Sequence, residues 1–307
     1  MVKTNSIKAW FLAARPKTLT AAAVPVLIGI GLAIKDTQAH ISWLPALLCL
    51  FFAWVMQIDS NLVNDYFDFK KGNDDETRLG PKRACAEGWI TLGAMQKGIL
   101  LTTLLGCVIG LPLILFGGWE MIIVGICCVI FCFLYTTTLS YQGLGDILVL
   151  AFFGIVPVCC TYYLVMPEGL QGVTGEVLVA SFLCGMVVDC LLIVNNYRDY
   201  DNDLKAGKNT LVIHIGKRYT ELLYCALGNV AILSVIAMTI ADTLIGTNNS
   251  ILLPFAGIYI ALHNLTYIKM KRIGEGSQLN QVLGMTARNI FIFGIVTFLA
   301  SVSGVLF

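Results

Sequence analysis

Two short acidic motifs carry the residues of this chain that could do chemistry. The first is Asn64-Asp65-Tyr66-Phe67-Asp68, at the end of a long apolar stretch. Its two carboxylates stand at i and i+3, so on a helix they share one face. Such a pair can bridge a hard divalent cation, which takes oxygen ligands and often shares them with phosphates. At this point the alternative is a helix end at a membrane surface, where charge simply reflects the nearness of water.

The chain repeats this arrangement. The segment Val194-Asn195-Asn196-Tyr197-Arg198-Asp199 matches Val63-Asn64-Asp65-Tyr66-Phe67-Asp68 as V-N-x-Y-x-D. Asp199 and Asp203 stand at i and i+4, which again places two carboxylates on one helix face. The repetition favours a site between two facing motifs and weakens the surface alternative.

Basic residues follow each motif. Lys82 and Arg83 follow the first motif, and Lys208 follows the second. Arginine binds phosphate oxygens through a planar fork, whereas lysine acts as a point charge. Facing acidic motifs can hold two or three cations between them, and the basic loops can bind the remaining phosphate charge. The pattern predicts a magnesium–diphosphate site.

The elements that must position these residues are membrane helices. Of the 307 residues 57% are hydrophobic and 13% charged, which excludes the soluble class. Long continuous apolar runs exclude alternating strands. About 20 apolar residues span a bilayer, and we predict an all-α single domain over residues 1–307. Its nine helices lie near 19–35, 42–63, 94–116, 120–139, 145–165, 176–197, 219–241, 250–268 and 288–307, and loops 65–93 and 199–218 cap the site.

The distribution of Lys and Arg predicts the orientation. With nine helices, all of the 20 basic residues except Lys35 fall on the side that also holds both acidic motifs. The positive-inside rule makes this side cytoplasmic. Four helices separate the motifs, which indicates two related half-bundles in parallel orientation.

Several polar residues have two interpretations. Arg15 could anchor the membrane interface by snorkelling or bind an anionic ligand. Tyr135 could belong to an aromatic belt or line a cavity and face a cationic intermediate. Asp59, inside an apolar helix, is a functional candidate or a hydrogen-bonded packing residue. The 11 cysteines indicate reduced packing residues rather than metal ligands or disulfides.

A diphosphate site that opens into a membrane cavity suits isoprenoid chemistry. If the diphosphate carries an allylic isoprenoid, its departure leaves an allylic carbocation. A dry cavity prevents water from capturing that cation, and tyrosine faces can stabilise it by about 0.5–2 kcal/mol each. An electron-rich acceptor of unspecified structure would then attack.

The sequence resembles the UbiA family of intramembrane prenyltransferases over nearly its whole length. Four segments carry the resemblance: Ala14-Arg15-Pro16-Lys17-Thr18, Asn64 to Gly72, Gly80-Pro81-Lys82-Arg83-Ala84, and Asn195 to Leu211. The resemblance implies nine helices around a central cavity in the bacterial cytoplasmic membrane, with the active site open to the cytoplasm.

The resemblance also implies roles for individual residues. Two or more Mg²⁺ ions would be bound through diphosphate, and Tyr135 would act with the acidic residues in catalysis. The implied metal ligands are Asn64, Asp65, Asp68, Asp199 and Asp203. The implied substrate-binding residues are Arg15, Lys82, Arg83, Asn195 and Lys208.

Within the family, the motifs are most similar to those of members that act on a naphthoate. This similarity implies transfer of a polyprenyl group from polyprenyl diphosphate to 1,4-dihydroxy-2-naphthoate, with loss of CO₂, to give demethylmenaquinone. Beyond these substrates and the lipid bilayer, we expect neither a nucleic acid nor an obligate protein partner.

The sequence departs from the family pattern at two places. Gly72 stands where many members have a third aspartate, and Asp74 is a candidate to replace it. Many members have Y-x-x-x-K after the fourth helix, but Tyr135 is followed by Leu139. The contact made by that lysine must therefore come from elsewhere.

Two rival functions share part of this pattern. A transferase with another acceptor, such as 4-hydroxybenzoate, homogentisate or a haem, would keep every metal residue. A secondary transporter could also contain repeats and intramembrane acids, but transporters place such groups near the membrane midplane. Here the acids gather at one end of the helices.

Overall fold

The computed structural model describes residues 2–72, 78–244 and 252–306, which form helices and connecting turns without a strand. This confirms the predicted all-α class. The α-helices are α1 Ile7–Ala14, α2 Leu19–Thr37, α3 Trp43–Lys70, α4 Leu92–Gly110, α5 Ile114–Gly117, α6 Glu120–Thr137, α7 Gly145–Leu150, α8 Val156–Val165, α9 Gly175–Arg198, α10 Tyr200–Lys205, α11 Leu211–Leu244, α12 Leu252–Ile273 and α13 Leu279–Leu306.

The predicted membrane bundle is confirmed. In the described part of the chain, eight helical segments are long and apolar enough to cross a membrane. The helix α12, of 22 residues, occupies the place of the eighth predicted span but is not among these segments. Large apolar side chains cover the outer faces of α4 and α6, which suits hydrocarbon rather than water. They include Leu100, Leu101, Leu104, Val108, Ile123 and Ile126.

The helix α2 packs against α3, α8, α9 and α13, and α9 packs against α7, α11 and α13. Small residues allow the closest approaches. A Cβ atom on Gly29 of α2 would lie 2.7 Å from the carbonyl oxygen of Val158 on α8. Gly106 and Gly110 of α4 face Met56 and Phe52 of α3. The G-x-x-x-G of α4 therefore serves packing within the bundle.

The acidic motifs fall on helices at one end of the bundle, and Lys35 lies at the other. The Nζ atom of Lys35 on α2 lies 2.7 Å from a carboxylate oxygen of Glu176 on α9 and 2.7 Å from one of Asp242 on α11. The single basic residue assigned to this end thus joins three helices.

Substituting Gly29 tests the packing of α2 on α8. Gly29→Ala places a methyl group against a backbone oxygen that belongs to a helix, so we expect a loss of about 1–3 kcal/mol in stability. Thermal unfolding in detergent measures this change. Gly125→Ala is the matched control, since a Cβ there has no neighbour within 4 Å. Equal melting temperatures for the two variants would contradict the close packing.

Candidate active site

The first motif lies in the last two turns of α3, where Asp65 holds the following loop in place. Its side chain is buried, and both carboxylate oxygens accept backbone hydrogen bonds. The N–H of Ala84 donates to Oδ2 at 2.8 Å, and the N–H of Cys85 donates to Oδ1 at 2.9 Å. Asp65 therefore fixes the segment that carries Arg83.

Asp68, one turn later, lies nearer to solvent and binds that arginine. Its Oδ2 accepts a hydrogen bond from Nη2 of Arg83 at 2.7 Å. The Arg83 side chain is 8% exposed and that of Asp68 is 18% exposed. Partial burial strengthens this charge-assisted pair relative to one on an open surface.

The second motif lies where α9 ends and α10 begins. Arg198 donates to both carboxylate oxygens of Asp199, at 2.8 and 2.5 Å. Arg198 also donates to the side-chain oxygen of Asn280 at 2.8 Å, and the amide of Asn280 donates to the carbonyl of Leu79 at 2.8 Å. The sequence pattern alone does not mark Arg198 or Asn280 as site residues. Their part in joining the two motif regions requires a contact between distant segments, which periodicity does not show.

Asp203 and Lys208 form a further ion pair of the second motif, with Nζ 2.8 Å from Oδ1. Burial raises the pKa of Asp203, although Lys208 acts to lower it. Burial by itself lowers the pKa of Lys208, but the carboxylates of Asp203 and Asp68 outweigh it and the pKa is raised. Desolvation thus opposes the charge on the acid, while pairing maintains the charge on the lysine. A Cβ atom on Gly80, in the segment after the first motif, would lie 2.9 Å from the guanidinium group of Arg198, so the two motif regions face each other.

Tyr141, in the turn between α6 and α7, lies between lysines from both motif regions. The Nζ atom of Lys71 is 4.2 Å from the ring centroid and that of Lys208 is 5.3 Å away. Lys71 also donates to the carbonyl of Thr137 at 2.7 Å. The ammonium group of Lys71 therefore lies at the end of α6, two residues before Leu139. At that position, many members of the family that the sequence resembles have a lysine.

A cavity of about 480 Å³ extends from this region into the bundle. Its polar end includes Arg15, Asn64, Tyr135 and Asn195, and Asn64 accepts a hydrogen bond from the Thr136 hydroxyl. Because Tyr135 lines the cavity, the structure favours a role for this residue in the cavity over a place in an aromatic belt at the membrane surface. The remaining wall is mostly apolar and rich in sulfur, with Cys49, Met56, Met121, Cys128, Cys132 and Cys160.

Arg15 is the one charged side chain among the described residues that line the cavity. Its backbone is left-handed, with φ 50° and ψ 66°, and it ends α1 directly before Pro16. Proline disfavours the right-handed helical conformation in the preceding residue. The Arg-Pro sequence thereby turns the chain from α1 towards α2 and places Arg15 at the cavity.

Two other candidate site residues, Lys82 and Asp59, do not line the cavity and are not paired with the acidic motifs. Lys82 is largely exposed and pairs with Glu87 at 2.7 Å. Asp59 is buried in α3, where its oxygens accept hydrogen bonds from Thr102 and Thr103 at 2.5 and 2.8 Å; this matches the packing interpretation. Asp74, suggested as a replacement ligand at position 72, lies outside the described residues.

The residues at this end suit magnesium that arrives with a phosphate ligand. Among the described residues, no three His, Cys, Asp or Glu side chains form a ready metal cluster. Instead, Asp68, Asp199 and Asp203 offer the oxygen ligands that Mg²⁺ prefers. Each is paired with a basic side chain that could bind phosphate oxygens. The donor set therefore fits a shared metal–diphosphate site.

The fold and the site together define a class: a multi-pass membrane protein with paired acidic and basic side chains at the mouth of an apolar cavity. The chain belongs to the UbiA prenyltransferase family, whose sequence profile matches residues 22–290. This membership confirms the predicted family and decides against the transporter alternative.

Several curated relatives of the chain are named as prenyltransferases. The chain is 32% identical to the 1,4-dihydroxy-2-naphthoate octaprenyltransferase of Haemophilus influenzae, with 80% of this chain and 81% of the relative covered. It is 36% identical to the protein of that name from Escherichia coli (68% and 69% covered) and 34% identical to that from Mycobacterium tuberculosis (74% and 76%).

Solved structures share the fold. A UbiA homologue from Archaeoglobus fulgidus, bound to DMAPP and Mg²⁺, aligns with a TM-score of 0.60 at 14% identity, covering 94% of this chain and 98% of the homologue. An apo UbiA homologue from Aeropyrum pernix aligns with a TM-score of 0.66 at 12% identity, covering 90% and 96%.

The geometry of Asp65 yields a stability prediction. Asp65→Asn replaces one acceptor with an NH₂ group that faces a backbone N–H, so we expect a loss of about 1–3 kcal/mol and faster proteolysis after Lys82 or Arg83. Thermal unfolding and timed trypsin digestion measure both effects. Lys82→Ala is the control for unfolding, since an exposed ion pair contributes about 0–1 kcal/mol. An unchanged melting temperature for Asp65→Asn would contradict the anchoring role.

Proposed function

We propose that the chain transfers a polyprenyl group from polyprenyl diphosphate to 1,4-dihydroxy-2-naphthoate, with loss of CO₂, to give the quinol form of demethylmenaquinone and diphosphate. The observation that carries this proposal is the position of the cavity, whose polar end lies at two facing acidic motifs. Such a shape accepts a charged head group at the mouth and an isoprenoid tail inside. The naphthoate is favoured by the curated relatives, which bear that name over most of the chain.

In this proposal Asn64, Asp68, Asp199 and Asp203 hold two or more Mg²⁺ ions together with the diphosphate. When bound, the metal supplies Lewis-acid stabilisation of the departing diphosphate. Support comes from the oxygen donor set and from the Mg²⁺ and DMAPP in the A. fulgidus homologue. Asp65, a further predicted ligand, also positions the loop, because its oxygens accept hydrogen bonds from two backbone N–H groups. Each of these oxygens keeps a second lone pair that a metal could use.

The basic residues bind the phosphate oxygens. Arg83 and Lys208 neutralise carboxylates of the motifs in the structure described above. With diphosphate and metal bound, the carboxylates would serve as metal ligands, and Arg83 and Lys208 would bind phosphate oxygens. Lys71, beside Tyr141, lies where it can bind the same anion. This exchange of partners keeps the mouth close to electrically balanced in both states.

Cleavage of the allylic C–O bond places positive charge on the prenyl group inside the cavity. The apolar wall excludes water from that cation, and Tyr135 presents its ring to it. Arg15, the charged residue of the cavity wall, binds the carboxylate of the acceptor or the diphosphate. The acceptor's ring carbon attacks the cation, and the carboxyl group leaves as CO₂.

The basic residues near the motifs also predict the orientation of the protein in the membrane. The basic side chains near the motifs belong to loops and helix ends on one side, and the positive-inside rule assigns that side to the cytoplasm. We therefore place the protein in the cytoplasmic membrane of a bacterium, with the mouth open to soluble Mg²⁺ and to the acceptor.

A membrane assay tests the proposed function. With Mg²⁺, labelled polyprenyl diphosphate and 1,4-dihydroxy-2-naphthoate, the parent should form lipid-soluble label and release CO₂. Asp68→Asn and Asp203→Asn should lower the rate by at least about 100-fold, because several kcal/mol of transition-state stabilisation depend on the metal. EDTA should abolish turnover, and added Mg²⁺ should restore it.

The acceptors 4-hydroxybenzoate and homogentisate serve as controls for specificity. Turnover with one of them and not with the naphthoate would retain the transferase chemistry but contradict the proposed acceptor. Full activity in both carboxylate variants would contradict the metal site.

A further inference from the structure

A second pair of carboxyl groups lies near the cavity wall, outside the site described above. Asp146 stands in the first turn of α7, and Asp189 stands within α9. They are 8% and 4% exposed. The Oδ1 atom of each is buried and makes no hydrogen bond within the described part of the chain. Neither forms an ion pair with a described basic side chain.

The packing of α7 on α9 brings these two side chains together. The helices run antiparallel: a Cβ on Gly145 would lie 3.3 Å from Leu192, and one on Gly185 would lie 3.0 Å from Leu150. This register places Asp146 opposite Asp189. Consistent with it, the carboxyl groups act on each other electrostatically.

Tyr135 stands between this pair and the cavity. Its ring lines the cavity, and its Cε2 atom lies 3.8 Å from the Cβ position of Gly145. Asp146 follows Gly145 directly in the chain, and Val188, the neighbour of Asp189, also lines the cavity. The pair therefore lies close behind the tyrosine.

Two adjacent carboxylates in an apolar wall, with no cation to compensate them, cannot both be ionised. The pair therefore carries at most one negative charge. Burying such a charge is costly, and apolar side chains would join α7 to α9 without that cost. In a medium of low dielectric constant, a fixed charge acts over longer distances than in water.

We propose that Asp146 and Asp189 form a fixed anion behind Tyr135 that stabilises the positive charge developing on the prenyl group as diphosphate leaves. The allylic C–O bond breaks, its electron pair leaves with the diphosphate oxygen, and no proton moves at the pair. Preorganised charge of this kind acts without reorganisation during the reaction. The inference rests on the proposed prenyl transfer and adds a charge-stabilising role for two residues that do not touch the substrate.

Neutral substitutions test the pair. In Asp146→Asn or Asp189→Asn the remaining carboxylate keeps the charge and the new amide can donate to it, so kcat should stay within about threefold. The double variant loses the charge, and its kcat should fall by about 10–100-fold. The KM for prenyl diphosphate should stay within about twofold, because the charge matters in the transition state. Asp59→Asn is the matched control: it neutralises another buried membrane carboxylate, one that two threonines satisfy.

A binding measurement separates this role from a structural one. An ammonium analogue of the prenyl cation, added with diphosphate and Mg²⁺, should lose about tenfold or more in affinity in the double variant. An unreactive prenyl thiolodiphosphate, whose prenyl group is neutral, should bind as it does to the parent. Asp146→Ser/Asp189→Asn provides a second neutral pair if the first does not fold.

Unchanged kcat and unchanged binding of the ammonium analogue in a folded double variant would overturn the proposal. Equal loss of both analogues would overturn it as well, because the pair would then only support the structure. Parental turnover tests the proposed function separately. The comparison of the two analogues needs no acceptor, so it remains decisive even if the naphthoate is the wrong acceptor.

Discussion

The carboxylate of Asp65 is the contact on which the mouth of the protein depends. It accepts hydrogen bonds from two successive backbone N–H groups, so the loop after α3 is tied to the helix that carries the first acidic motif. Arg83 is thereby brought to Asp68, and Leu79 to the network of Arg198 and Asn280. A buried carboxylate without partners would be costly. Here the same group satisfies the backbone of a polar loop at the membrane surface and orders the residues around it.

Charge compensation organises the rest of this region. Carboxylates of both motifs are paired with arginine or lysine. Asp68 pairs with Arg83, Asp199 with Arg198, and Asp203 with Lys208. The two halves of the repeat are similar in their acidic residues but differ in how these are held: Asp68 binds an arginine from a distant loop, whereas Asp199 binds its neighbour Arg198. A symmetric sequence motif has thus produced an asymmetric mouth, which suits a substrate with distinct ends.

The sequence was sufficient to predict the helices, their order and the residues of both motifs, because apolar length and the spacing of carboxylates are local properties. It could not show that Asp65 also anchors the following loop, because that role depends on where the loop lies. It also gave no role to Asn280, or to Asp189, whose neighbour Asp146 lies on another helix. These roles depend on contacts between distant segments, as do the position of Lys71 at the end of α6 and the solvent-facing position of Lys82.

The wall of the cavity has a physical character of its own. Thiol and thioether groups from Cys49, Met56, Met121, Cys128, Cys132 and Cys160 surround the space below the mouth. Sulfur is polarisable, and methionine side chains adapt to irregular shapes more readily than branched aliphatic ones. Such a lining can adapt to apolar groups of different shapes. Charge pairs hold the side chains at the mouth in place, whereas the sulfur-rich wall of the cavity favours tolerance towards isoprenoid tails of different lengths.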